Sequence, residues 1–249
     1  MAKVNTEALQ EEIPLSGGRT TLGVVQKGET VHRPQCKNSG MVHQVLEFLK
    51  EQNIDFVPQF LGIDEQNREV ITLLPGSCPD NIGFYSHEQI AVAVDRIRTL
   101  HQVLKDFPGC APGQTVCHYD LSPCNFLFVG EQPKQQGEMK ISGLPFYIID
   151  WDACNIGDPL DDLAYAVWLW LDLGNEEFSA SMQANRIRMM LDRYGVTEQE
   201  RCSFLIRIDA QMKRVGNSVF LREEQTIACR NWVNHCRGWL QTHEKELSF

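Results

Sequence analysis

The chain has no uninterrupted apolar run of about 18 residues, the minimum for a helix that crosses a bilayer. Its most apolar stretch, residues 163–173, is too short and is broken by Asp172. Residues 1–7 lack the basic and apolar regions of a secretion signal, so a cytoplasmic location and no membrane partner are expected. The nine cysteines are odd in number and scattered, and no two have C-x-x-C spacing. Cys110, Cys117 and Cys124 do recur every seven residues. Reduced thiols are therefore expected, in place of a disulfide framework or a zinc site. Positive charge is also short: 23 Lys and Arg face 33 Asp and Glu, a formal net charge of −10. Phosphate backbones need basic patches, so nucleic acid is excluded as the expected partner, whereas a cationic small molecule suits the field. No G-x-x-x-x-G-K-[ST] sequence occurs, which excludes a Walker-type phosphate loop. Internal repeats and low-complexity linkers are missing too.

What is present fills 249 residues, enough for one large domain or two small lobes sharing a core. Residues 13–34 read as a hairpin, with Ser16-Gly17-Gly18 and Lys27-Gly28-Glu29 as turns. Val42, Val45, Leu46 and Leu49 share one face of a helix over 40–52, and Asn53 stands where the pattern stops. Residues 56–61 and 69–74 read as two more strands, the first confined to an edge by Pro58 and the second closed by Pro75-Gly76. Beyond Gly76 the character changes. Ser86-His87-Glu88-Gln89 is a capping box, opening a helix that Pro108 and Gly109 end. Short strands are expected at 126–129 and 146–149, then helices near 160–173, 177–194, 198–215 and 223–243. A sheet-rich first third followed by a helical remainder predicts an α+β fold of two lobes, 1–76 and 77–249.

Two segments carry chemistry. In Val116-Cys117-His118-Tyr119-Asp120-Leu121-Ser122-Pro123-Cys124-Asn125, the spacing His118-x-Asp120-x-x-x-x-Asn125 is that of a kinase catalytic loop. Phosphoryl transfer needs a carboxylate to orient the attacking hydroxyl and oxygen ligands for Mg²⁺. A turn through Pro123 aims Asp120 and Asn125 into one cleft. His118 is expected to orient the loop backbone. The second segment, Ile149-Asp150-Trp151-Asp152, puts another hard oxygen ligand at the end of an apolar strand.

Together with Gly157-Asp158-Pro159-x-x-Asp162-Leu163-Ala164, these segments resemble the aminoglycoside phosphotransferase and choline kinase superfamily. The resemblance is specific between about 115 and 165, and weaker in the first third. It implies a protein-kinase-like fold: a small antiparallel sheet lobe with one helix, and a larger, mostly helical catalytic lobe. It makes Asp120 the catalytic base, with His118 in the same loop, and makes Asn125 and Asp150 the Mg²⁺ ligands. Asp158 and Asp162 become braces, and Asp152 touches metal, substrate or solvent. ATP, or GTP, is the implied phosphoryl donor.

The first third departs from that pattern. Gly17, Gly18 and Arg19 can fold over nucleotide phosphates, or form a plain turn. Arg33 stands where a kinase-like fold has a lysine, with His43 or Glu47 as its candidate partner; a guanidinium fork is not equivalent to an ammonium. Leu73 and Leu74, in the segment joining the lobes, either contact the purine or belong to the core. Thr30-Val31-His32-Arg33-Pro34 also resembles bacterial phosphotransferase-like proteins, some labelled as toxin immunity proteins. Two functions therefore stand: a Mg²⁺-dependent kinase of a small alcohol, such as an aminoglycoside or other amine-bearing alcohol, or a kinase-fold binding protein of immunity type. A protein kinase fits less well, since 152–159 is too short for a regulated activation loop.

Overall fold

The computed structural model describes residues 11–15, 22–130, 143–218 and 222–248. The glycine turn at 16–18 and Arg19 lie outside them. Five antiparallel strands open the chain: β1 (Ile13–Pro14), β2 (Val25–Lys27), β3 (Thr30–Pro34) and, beyond helix α1 (Ser39–Glu51), β4 (Phe60–Ile63) and β5 (Arg68–Thr72). Their order is β1-β2-β3-β5-β4, which puts Arg33 of β3 directly opposite Glu69 of β5. Helix α1 buries Val42, Val45, Leu46 and Leu49, the face its periodicity defines. Fully burying each such side chain contributes about 1.5–3 kcal/mol. Asn53, in the left-handed region at φ 58°, turns the chain out of the helix.

The strand expected at 56–61 forms later, at Phe60–Ile63. Phe56 and Val57 are buried as core residues of a loop, and the Phe56 carbonyl accepts the Ile148 N–H at 2.9 Å. Their apolarity reflects that docking, while Pro58, which has no N–H to give, keeps the ladder from starting earlier.

Helix α2 (His87–Leu104) carries the full capping box, with Ser86 and Gln89 bonded reciprocally. Four strands then form two small ribbons. The first pairs β6 (Thr115–Cys117) with β9 (Asn155–Gly157), and the second pairs β7 (Phe126–Val129) with β8 (Leu144–Ile148). β6 and β9 were not anticipated, because three residues are too few for a readable alternation. Helix α3 (Pro159–Trp170) is buried almost all round, so it forms the axis of the helical part. It is followed by α4 (Ala180–Tyr194), α5 (Glu198–Arg201), α6 (Phe204–Gly216), α7 (Glu223–Thr242) and α8 (Glu244–Leu247); α6 packs along α3, and Trp232 of α7 stacks on Trp168. The single helix expected over 198–215 divides at Cys202-Ser203: Thr197 and Glu200 close a capping box on the short α5, and α6 starts afresh at Phe204. All nine cysteines are free. Among the described residues no helix is long and apolar enough to cross a membrane.

The sheet joins the helical part through residues 73–78. There Ser77 bridges Phe128 of β7 through two backbone hydrogen bonds, 3.2 and 2.9 Å. Gly76 (φ 122°) has no room for a side chain: a Cβ would stand 2.7 Å from the Phe128 carbonyl oxygen. Gly76→Ala should therefore cost about 1–3 kcal/mol through strain at a positive φ, read as a lowered urea midpoint.

Candidate active site

Each end of the segment 117–125 is fixed by partners remote in sequence. At its start, fully buried Asp162 accepts the N–H of His118 at 2.7 Å, that of Tyr119 at 2.8 Å, and His101 Nε2 at 3.1 Å. Burial by itself pushes the Asp162 pKa up. The His101 hydrogen bond, the positive character of His101 and His118, and the His118 N–H outweigh it, so the net shift is downward. Tyr119 takes a left-handed backbone (φ 60°), its carbonyl accepting Arg214 Nη2 at 2.8 Å. Gly157 of β9 lies so close under the Tyr119 ring that any Cβ would collide with the phenol. A bulky residue at positive φ is costly, and the surrounding contacts fix it there.

At the far end a short 3₁₀ turn, Pro123–Asn125, leads into β7. Asn125 Nδ2 donates to the Asp120 carbonyl at 2.8 Å, which turns the amide oxygen away from it. Ile149 locks this loop to the next: its N–H donates to the Asn125 carbonyl at 3.0 Å, and its own carbonyl accepts His118 Nε2 at 3.0 Å. Nδ1 lies 3.3 Å from the Asp120 N–H, so both ring nitrogens of His118 meet backbone groups. His118 is buried and ties two loops together. The next residue, Asp150, sits in the left-handed region (φ 66°, ψ 64°).

Asp120, Asn125 and Asp150 are thereby neighbours: Asn125 bonds the Asp120 backbone, and the Asp120 charge acts on Asp150. One Asp120 oxygen, Oδ1, accepts the Tyr165 phenol at 2.5 Å. Burial, then the Asp120 charge, holds that phenol well above its ordinary pKa, so it stays a donor. Tyr165 escaped the sequence reading because in the pattern of α3 it is one apolar residue among many. Burial, together with the Asp152 and Asp120 charges, raises Asp150 above the ordinary carboxylate range against the opposing pull of Arg33 and His118.

The donor set fits a hard divalent cation. Carboxylates are crowded, and one oxygen, Asp152 Oδ1, is buried with no hydrogen-bond partner. Among the described residues no three His, Cys, Asp or Glu side chains gather into a ready-made cage.

Arg33 does not stand free. Its Nε lies 2.7 Å from Glu69, Nη1 lies 3.7 Å from Asp150, and Nη2 bonds Asp152. Burial would lower its pKa, but the charges of Asp152, Glu69 and Asp150 win and raise it. Neither residue expected from α1 is the direct partner. Glu47 is exposed, and His43 reaches Glu69 instead, at 2.8 Å, stacked on Phe60. The partner is Glu69, the cross-strand neighbour, a signal that a register alignment of β3 with β5 would have exposed. Leu73 and Leu74 follow β5 and are half-buried, with the Leu73 N–H already donating to the Glu29 carbonyl at 3.0 Å. Asp158 caps α3 through the Leu160 N–H and pairs with Arg207 at 2.9 Å. Asp161 also engages Arg207, at 2.6 Å.

A small antiparallel sheet with a helix-rich partner and this pair of loops is a protein-kinase-like fold. Residues 81–194 match the model of the phosphotransferase enzyme family. An immunity protein against trifolitoxin from Rhizobium leguminosarum bv. trifolii is 25% identical over 271 residues, spanning 96% of this chain and 98% of its own. A microcompartment-associated aminopropanol kinase superposes with a TM-score of 0.64 at 11% identity, over 96% of this chain and 94% of its own. An aminoglycoside phosphotransferase from Streptomyces rimosus, solved with ADP and streptomycin, gives 0.52 at 13% identity over 82% and 94%. The family model thus covers the part of the chain that carries the two motif segments, and the solved structures share its fold.

Asp162→Ala would leave two buried N–H groups and His101 without their acceptor, a loss of about 3–5 kcal/mol by chemical denaturation. Because the folded-state pKa is depressed, the stabilisation is complete above the unfolded carboxylate value, about 4. It should fade as pH falls below that value, so the gap between wild type and Asp162→Asn narrows from pH 5 towards pH 3.

Proposed function

We propose that the protein is a small-molecule kinase, transferring the γ-phosphoryl group of ATP, or GTP, to a hydroxyl of a small, amine-bearing alcohol. The lobes divide after Gly76, and nucleotide lies between them. The observation that carries this reading is the shared mouth of Asp120, Asn125 and Asp150, built by Ile149 and Asp162 from two separate loops. Tyr165 occupies Asp120 Oδ1, which leaves Oδ2 to orient the acceptor hydroxyl and take its proton. Asn125 and Asp150 would hold Mg²⁺, whose charge, when bound, screens the phosphate oxygens. His118 acts by positioning, because both its ring nitrogens are engaged by backbone. Most of the rate enhancement is then positioning and charge complementarity. The net charge of −10 supports a cationic acceptor by steering.

A second reading has its own support: a kinase-fold protein of immunity type that binds nucleotide or peptide without turnover. The trifolitoxin immunity relative runs nearly end to end with this chain, and an arginine, held by three carboxylates, stands where a kinase-like fold has a lysine.

Release of ADP with Mg²⁺·ATP, screened against aminoglycosides, choline-like amines and sugars, separates the two. For the kinase, Asp120→Asn should lower kcat about 10²–10⁴-fold with little change in nucleotide affinity, and Asp150→Ala should remove most of the activity and raise the Mg²⁺ concentration needed for what remains. Thermal stabilisation by nucleotide with no transfer to any acceptor, unchanged in both variants, favours the binding protein.

A further inference from the structure

The acidic mouth already contains a cation of its own. Arg33 projects from β3 with its side chain only 11% exposed and its Nε 2.7 Å from Glu69, itself 3% exposed, an ion pair without hydrogen-bond alignment. His43 fixes Glu69 from behind, so the root of the guanidinium does not wander. Its other end meets Asp152 and, at 3.7 Å, Asp150. That last separation is an ion-pair distance, too long for a good hydrogen bond, so Asp150 can exchange this partner cheaply. The acidic loop is pinned as well. Asn38 Nδ2 donates to the carbonyls of Asp152 at 3.0 Å and Cys154 at 2.8 Å, which keeps both carboxylates within reach of Arg33. Among the described residues the arrangement is nevertheless undersupplied with positive charge. One guanidinium faces three carboxylates, and Asp152 Oδ1 remains buried without a donor.

We infer that Arg33 is an exchangeable counter-ion, which occupies the Asp150–Asp152 pair in the nucleotide-free protein and weakens the binding of a free divalent cation there. A polyphosphate offers the guanidinium alternative oxygens, and its departure uncovers the two carboxylates. Cation and nucleotide then bind with positive coupling, each raising the affinity for the other. The inference rests on the reading of Asp150 as a cation ligand, and it explains why arginine at this position is compatible with an intact acidic site.

Mn²⁺ binding to the full chain without nucleotide, followed by the electron paramagnetic resonance of the free ion, tests it. R33M is combined with E69Q so that Glu69, the most deeply buried of the three carboxylates, is not left without its cation. R33Q serves as the second variant should the pair fail to fold. Removing the guanidinium should tighten Mn²⁺ binding at least tenfold over wild type. The gain should vanish when D150A is added, and should shrink when a non-hydrolysable ATP analogue is present. Equal or weaker Mn²⁺ binding by R33M/E69Q and R33Q, with wild-type binding still sensitive to D150A, overturns the counter-ion and leaves the cation site standing. Absence of Mn²⁺ binding in every protein overturns the counter-ion and removes the cation site with it.

Discussion

The arrangement depends first on one buried carboxylate. Asp162 belongs to the helix at the axis of the helical part, yet its oxygens are spent on the backbone of a loop more than forty residues earlier. An ionised group with no solvent contact is tolerable only when nearly every lone pair has a donor, and here two amides and an imidazole supply them. The same bonds force the chain at His118 and Tyr119 into a path it would not choose, and so aim Asp120. Stability and function are linked at this point, because the donors that make the buried charge acceptable are the atoms that shape the loop.

A second layer of ties makes the mouth one unit. Ile149 contributes only its peptide groups, but they bond Asn125 on one side and His118 on the other. Displacing the strand that carries Asp150 would therefore disturb Asn125 and the imidazole together. The side chains that bear charge sit on segments with unusual backbone angles, at Tyr119 and Asp150, while the atoms holding those angles are backbone and buried polar groups. Such an arrangement holds the charged oxygens in place through the fold itself.

Much of this was legible in the chain alone. His118, Asp120, Asn125 and Asp150 announce themselves because a loop chemistry requires fixed spacing, and spacing survives without a structure. The face of α1 and the capping box at Ser86 were readable for the same reason: both are local. Glu69 was not, since its role exists only in the pairing of two strands, and the search for an arginine partner went to the nearest helix. Tyr165 was hidden within an apolar helix where one more aromatic looks like core. The short strands Thr115–Cys117 and Asn155–Gly157 have no pattern of their own and exist because each finds the other. Phe56 and Val57 misled in the opposite sense, their apolarity serving a docked loop.

The bridge between Ser77 and Phe128 has a mechanical corollary. Because both backbone groups of Phe128 are committed to Ser77, the connector is riveted to the ribbon just downstream of Asn125. Any rocking of the sheet against the helices is left to the three residues between β5's last neighbour, Leu73, and that rivet. Two of these are Pro75 and Gly76, one with a fixed backbone torsion and one with a free one, so the joint resembles a pin hinge more than a flexible tether.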